Sequence, residues 1–236
     1  MSNLSTEVKP KFQTLEERLK NKVNDLKDPE KMAAKNKIAI IFDTSGSMAH
    51  HETDMETYTM DPKSRIDYAK LAVKGFVDRT DLNTNAIGIL PFSEDYQEAA
   101  FFNYSSISTD IISFVNGLNA LIGHTPLCKS ILTILNKEEK PSRAIVFSDG
   151  EATDKYPSFL EDIRRNPPIR TVIIDTVAIG QDSHFLKEIA EATGGIYLFF
   201  KDVSQFASQL KYLSPQLRFL LTSQSVIDKV QKGEQL

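Results

Sequence analysis

Short uninterrupted apolar runs alternate along the chain with longer stretches in which apolar residues recur every three to four positions. The runs at 37–43, 85–92, 144–147, 171–179 and 196–200, rich in isoleucine, valine and phenylalanine, predict buried strands. Helical spacing predicts a helix at 66–80, with an apolar stripe at 66, 69, 72, 73, 76 and 77, and another at 108–118, capped by Ser108. A helix opening at Thr125-Pro126 carries Leu127, Ile131, Leu132 and Leu135, with Thr125 as its cap and the proline at the first helical position, where its missing N–H costs nothing. Asp154 or Ser158 caps a helix running to Arg165, Asp182 or Ser183 caps one through Ala192, and 203–213 forms the last helix before Pro215. A further strand at 96–102 follows 85–92 after the short link Ser93-Glu94-Asp95, too short for a parallel crossover, so these two strands pair antiparallel. Strands alternating with helices demand an α/β fold: a mostly parallel sheet covered on both faces and joined by right-handed crossovers.

Outside this alternation the pattern changes. Thr14 and Glu17 have capping-box spacing, and Phe12, Leu15, Leu19, Val23 and Leu26 recur at helical intervals, predicting an amphipathic helix over 15–27 and a second short one after Asp28-Pro29. Its narrow stripe suits packing on its own domain, with a partner-binding or oligomerising helix as the alternative. The chain therefore divides into a helical extension at 1–35, an α/β domain at 36–213 and a tail at 214–236.

Composition removes several classes of function. A 41% hydrophobic and 25% charged chain of 236 residues has the make-up of an ordinary globular domain, and its net charge of −4 gives no electrostatic case for nucleic acid or an anionic membrane. The single cysteine, Cys128, rules out an internal disulfide framework, and the polar opening lacks the pattern of a signal peptide, so a cytoplasmic address is expected. No apolar run approaches the roughly 20 residues needed to span a bilayer.

The chemistry concentrates where strand 37–43 stops. Asp43 closes the apolar run and is followed by Thr44, Ser45, Gly46 and Ser47, so a carboxylate and small hydroxyls are delivered to the carboxyl end of a buried strand, where open α/β sheets place their ligands. Oxygen-only donors suit a hard divalent ion such as Mg²⁺, with Mn²⁺ or Ca²⁺ compatible with the same set. The loop at 50–62 holds His50 and His51 beside several carboxylates, but without a recognised zinc spacing it reads as a solvated polar loop on the rim of the site. Cys128, one turn into its helix, reads as a small core residue rather than a nucleophile.

Asp43-Thr44-Ser45-Gly46-Ser47-Met48 resembles the first segment of the metal-ion-dependent adhesion site of von Willebrand factor A domains, and two further segments occur in order. Gly123-His124-Thr125-Pro126-Leu127 supplies a threonine at a helix start, and Val146-Phe147-Ser148-Asp149-Gly150 supplies a second strand ending in aspartate. The resemblance implies a three-layer, doubly wound, Rossmann-like sheet of order 3-2-1-4-5-6 with strand three antiparallel, which brings Asp43 and Asp149 side by side at the switch point. It also implies that Ser45 and Ser47 bind the ion directly, that Asp43 and Asp149 do so directly or through water, and that Thr125 joins the shell when a partner is engaged. An acidic residue of a protein partner then completes the coordination, and the last helix, 203–213, occupies the place that moves with the metal site in some relatives.

The resemblance implies no catalysis. Haloacid-dehalogenase-type phosphotransferases carry a second aspartate two residues after the first, where this chain has Ser45, and there is no GxSxG elbow, P-loop or GxGxxG motif. Two other readings accompany the adhesion-like one: a subunit or adaptor working with a separate AAA+ ATPase, and a fold whose metal site is vestigial.

Overall fold

The computed structural model describes residues 35–54, 59–94, 101–121, 123–150, 152–165 and 172–200. The helices expected at 15–27, after Pro29 and at 203–213, and the boundary expected between 213 and 214, lie outside these residues.

Burial of every residue from Ile38 to Asp43 makes β1 (Asn36–Asp43) the centre of the sheet. A 3-10 turn at Gly46–Ala49 follows it, then β2 (His51–Asp54), β3 (Thr59–Ser64), α1 (Arg65–Arg79), β4 (Asn85–Phe92) and β5 (Phe102–Ser105). The rest of the domain comprises α2 (Ser108–Asn116), α3 (Leu127–Leu135), β6 (Arg143–Ser148), α4 (Phe159–Arg165), β7 (Ile173–Ile179), α5 (His184–Thr193) and β8 (Tyr197–Phe200). Six strands form one sheet in the order β5-β4-β1-β6-β7-β8, while β2 and β3 pair separately. Numbered along the chain within the main sheet alone, that order is 3-2-1-4-5-6, and only the β4–β5 pair is antiparallel, as the resemblance implied. The fold is a Rossmann-like mixed sheet with helices around it.

Successive residues of a strand face opposite sides, and β1 serves two cores in this way. Ile38, Ile40 and Phe42 join the cluster that includes Ala69, Val73 and Phe76 of α1 and Ile111 and Val115 of α2. Ala39 and Ile41 join the opposite cluster, with Leu127, Ile131 and Ile134 of α3, Ile163 of α4 and Ile189 of α5. Burying a strand on both faces leaves nothing for its polar end group to do but find partners at the sheet edge, which is the origin of the site.

Four local expectations are corrected. Ser108, expected as the cap of α2, is the first residue of that helix, and Ile107 holds the cap position. Of the strand expected at 96–102, residues 96–100 lie outside the described ones; the strand that pairs antiparallel with β4 is β5, which runs past the expected end to Ser105, with Ile89 opposite Phe102 and Ile87 opposite Ser105. Its register is fixed by ring packing: Phe101 and Tyr104 meet edge to face at 5.5 Å and crowd Gly88, where an added Cβ would lie 2.6 Å from the Phe101 ring. The loop at 50–62 is in part the β2–β3 hairpin, whose return strand is pinned by Asp61, which accepts hydrogen bonds from the Tyr68 hydroxyl (2.5 Å) and the Lys63 N–H (2.8 Å). Thr125 does not cap α3. Pro126, at φ −76° and ψ 61°, forms an inverse γ-turn in which the Leu127 N–H donates to the Thr125 carbonyl at 2.8 Å, and the helix starts beyond it. Its free N–H groups are taken instead by the Asp154 carboxylate, which accepts from Cys128 at 3.0 Å and Lys129 at 2.8 Å. Of the two caps considered for α5, Ser183 is the one used, accepting from the Leu186 N–H, and Gly194 ends that helix at φ +71°.

Candidate metal centre

The parallel register brings the two strand ends together. Phe42 lies opposite Phe147, so Asp43 is beside Ser148, and Asp149 is the next residue out from β6. Asp43 is fully buried and Asp149 is 1% exposed. Both carboxylates are held by the loop between them. The Ser45 N–H donates to Asp43 Oδ1 at 2.8 Å, Ser45 Oγ and Ser47 Oγ share a hydrogen bond at 3.0 Å, and Ser47 Oγ donates to Asp149 Oδ1 at 2.8 Å. Hydrogen bonds of Ser45 and Ser47 thus link the two aspartates, which lie more than a hundred positions apart in sequence. Ser45 is buried and Ser47 exposed, so the cluster opens to solvent on the Ser47 side.

The loop is itself anchored. Thr44 is buried and bonds the Phe92 carbonyl through both its N–H (2.9 Å) and its hydroxyl (3.0 Å), while its own carbonyl accepts from the Leu121 N–H at 2.8 Å. Met48, fully buried in the core under α1, nails down the far end of the turn.

Thr125 stands on the adjoining loop, 7% exposed. Its backbone is clamped to the segment that follows Asp149: the Thr125 N–H donates to Thr153 Oγ1 at 3.1 Å and the Thr153 N–H donates to the Thr125 carbonyl at 3.0 Å. The structure therefore joins Asp43, Ser45, Ser47 and Asp149 directly and ties Thr125 to them through the backbone; the hydrogen bonds among those four do not pass through its hydroxyl.

Two residues not assigned a role from sequence belong to the cluster. Ser148 Oγ donates to Asp43 Oδ2 at 2.6 Å, completing the pair of acceptors on that carboxylate. Arg65 donates from Nη1 to Asp149 Oδ2 at 2.8 Å, an ion pair in which the aspartate side chain is wholly buried. The signal for Ser148 was a hydroxyl immediately before an aspartate at a strand end. For Arg65 it was a cation at the first position of a helix, where the macrodipole disfavours positive charge and some other partner must justify it.

Burial raises the pKa of Asp43 to about 7, with the nearby Asp149 charge adding to the effect and the Ser148 and Ser45 hydrogen bonds opposing it. A carboxylate in that condition favours an incoming cation. The donors present are two carboxylates and the hydroxyls of Ser45 and Ser47, all oxygen, which fits a hard divalent ion. Among the described residues no group of three or more His, Cys, Asp or Glu side chains is arranged to hold a metal, so the thiolate and imidazole sets typical of structural zinc are not present there. His51 instead bonds the Asp61 carbonyl through Nδ1 at 2.9 Å. Cys128 is buried, and its thiol is pushed up to about 12 by desolvation and by Asp154, which suits the core role expected of it.

Similar folds are found among solved structures. The conserved hypothetical protein BatB from Bacteroides thetaiotaomicron aligns with a TM-score of 0.56 at 15% identity, over 84% of this chain and 99% of that one. A serine-substituted form of an aerotolerance-related membrane protein from Bacteroides fragilis aligns at 0.53 and 14% identity, over 74% of this chain and 96% of that one. Proximal thread matrix protein 1 from the mussel byssus, in a structure with a zinc-occupied MIDAS motif, aligns at 0.52 and 18% identity, over 78% of this chain but only 46% of that one. At these identities the likeness is one of fold. A search of curated proteins gives no significant match. Among the described residues no helix is long and apolar enough to cross a membrane. The model of the von Willebrand factor type A domain matches residues 37–216, most of the sequence, and the chain belongs to that family.

Proposed function

We propose that this domain is a non-catalytic protein-binding module that works through a divalent cation, with Asp43, Ser45, Ser47 and Asp149 holding the ion and Thr125 completing the protein's share of the shell. The observation that carries this reading is the hydrogen-bond chain from Asp43 through Ser45 and Ser47 to Asp149, which gathers two carboxylates and two hydroxyls at the carboxyl ends of adjacent strands. Mg²⁺ is the proposed occupant, because a site with few carboxylates and several neutral oxygens suits an ion that keeps part of its water. Mn²⁺ and Ca²⁺ bind the same donor type, and the byssus protein holds zinc at its motif of this kind.

When bound, the ion supplies a Lewis-acidic position whose remaining coordination accepts a carboxylate. The chain's own residues do the rest. Asp43 and Asp149 hold the serine hydroxyls in place, and the exposed Ser47 marks the open side from which an aspartate or glutamate of a protein partner approaches. The hairpin of β2 and β3 rises from the same turn and takes part in partner choice. With a lone buried thiol, the domain suits an intracellular setting.

Calorimetric titration with Mg²⁺ of the wild type, Asp43→Ala and Ser47→Ala, followed by affinity capture from native lysate with and without EDTA, tests this. Binding of Mg²⁺ by the wild type alone, and captured proteins lost equally in EDTA and in Asp43→Ala, is the expected result. Wild-type protein that takes up no divalent ion overturns it.

A further inference from the structure

One positive charge is already built into the site. The Arg65 N–H donates to the His50 carbonyl at 3.0 Å, which closes the hairpin excursion and returns the chain to the turn that carries Ser45 and Ser47. From there the guanidinium reaches Asp149 Oδ2 at 2.8 Å, with only 14% of the arginine side chain exposed. The two oxygens of Asp149 are thus divided, Oδ1 to the Ser47 hydroxyl and Oδ2 to Arg65. Two buried carboxylates linked through a pair of serines repel each other unless a cation lies beside them, and a divalent ion arriving at Asp149 meets a cation that is covalently part of the chain.

We propose that Arg65 is the resident counter-cation of this site: it holds Asp149 in place without a metal and sets the affinity for a divalent ion by opposing it. The proposal rests on the divalent-cation reading given above. Its sign follows from comparing two effects. Removing the guanidinium forfeits the charge-assisted hydrogen bond that orients Asp149 Oδ2, but the Ser47 hydroxyl still holds the other oxygen. Removal also deletes a full positive charge within a few ångströms of a dication, and even in an effective dielectric of about 20 that repulsion outweighs the hydrogen bond to Asp149. The electrostatic effect decides.

The test uses the full chain as wild type, Arg65→Gln and Arg65→Lys, titrated calorimetrically with MgCl₂ alone and melted in EDTA and in saturating Mg²⁺. Arg65→Gln binds Mg²⁺ at least about tenfold more tightly than wild type, melts lower in EDTA, and gains more from Mg²⁺. Arg65→Lys, which keeps the charge but not the planar fork, stays within about threefold of wild type. An Arg65→Gln chain that folds only with Mg²⁺ supports the same conclusion. Wild type that binds Mg²⁺ while Arg65→Gln binds equally or more weakly overturns the role of Arg65 and leaves the metal reading standing. Arg65→Lys that follows Arg65→Gln assigns the effect to fork geometry and overturns the charge argument. Absence of binding in all three overturns both.

Discussion

Replacing Asp43 with asparagine stabilises the metal-free protein at pH 8 and abolishes its response to Mg²⁺. Burial, reinforced by Asp149, lifts the Asp43 carboxyl from an ordinary 3.8 to about 7. At about 1.4 kcal/mol per unit, keeping that group ionised costs the folded state about 4 kcal/mol above neutral pH. Asparagine has the same shape without the charge. Its Oδ1 accepts the Ser45 N–H as Asp43 does at 2.8 Å, and its amide donates to Ser148 Oγ, whose hydroxyl rotates to accept. Allowing for imperfect geometry, the expected gain is between about 1 and 4 kcal/mol.

The pH dependence gives the sharper check. Because the folded-state pKa is raised, the folded protein holds a proton that the unfolded chain has released across the interval from 3.8 to about 7. Wild-type stability relative to Asp43→Asn therefore falls as pH rises through that interval and levels off above it. Urea unfolding of both proteins in EDTA at a series of pH values from 5 to 8 measures the difference, which shrinks toward the acid end, where somewhat under half of it remains at pH 5, roughly 1.6 of about 4 kcal/mol. Repeating the series with Mg²⁺ restores the wild type and leaves the variant unchanged. A variant less stable than wild type at pH 8, or a difference independent of pH, refutes the reasoning.

Three other expectations concern the scaffold. Arg143 and Asp175 form a buried ion pair between β6 and β7, and Asp175 Oδ1 also accepts the Ile196 N–H at 2.8 Å, so Asp175→Ala lowers stability by about 3–5 kcal/mol, read as a lower urea midpoint with unchanged slope. At Gly195 an added Cβ would lie 1.9 Å from the Ile174 carbonyl oxygen, so Gly195→Ala costs about 3 kcal/mol or more by thermal denaturation, whereas Gly194→Ala, strained only by φ +71°, costs about 1. Cys128 is buried with its thiol pushed up to about 12, so its modification by a disulfide reagent proceeds at the rate of protein opening and accelerates with denaturant; rapid stoichiometric labelling of the native protein counts against this.

The strands that carry the site were legible because they are buried on both faces, which leaves an unbroken apolar run with an abrupt polar end. β4 matches its expected range, and β1 and β6 differ from theirs by a residue or so at their ends. The hairpin of β2 and β3 left no such trace. Its ladder is made of backbone groups in a polar sequence, and hydropathy does not record backbone pairing. The run of β5 past Phe102 to Ser105 has a tertiary cause, two rings seated over a glycine on the neighbouring strand. The cap on α3 was equally remote: Asp154, weighed as the start of the next helix, reaches back to serve the previous one. Interactions at a distance are what local patterns omit.

The candidate site shows the same division. Asp43, Ser45, Ser47 and Asp149 were readable because each sits at or just beyond a strand end, and the structure joins them as the strand order required. Arg65 was not, since nothing in its own neighbourhood of sequence points to a carboxylate on another strand. Yet Arg65 changes what the site needs. With Asp43 ionised, as it is above about pH 7, two carboxylates and one guanidinium leave a single negative charge, enough to attract a cation but small enough to let the fold persist without one. A bound divalent ion reverses that balance to a single positive charge in a largely buried setting, and one further carboxylate restores neutrality. If Arg65 is the resident counter-cation, the demand for an acidic residue from a partner follows from the charge of the residues already in place. Without the arginine the same two aspartates would neutralise the ion by themselves, and the incentive to recruit a third carboxylate would be weaker.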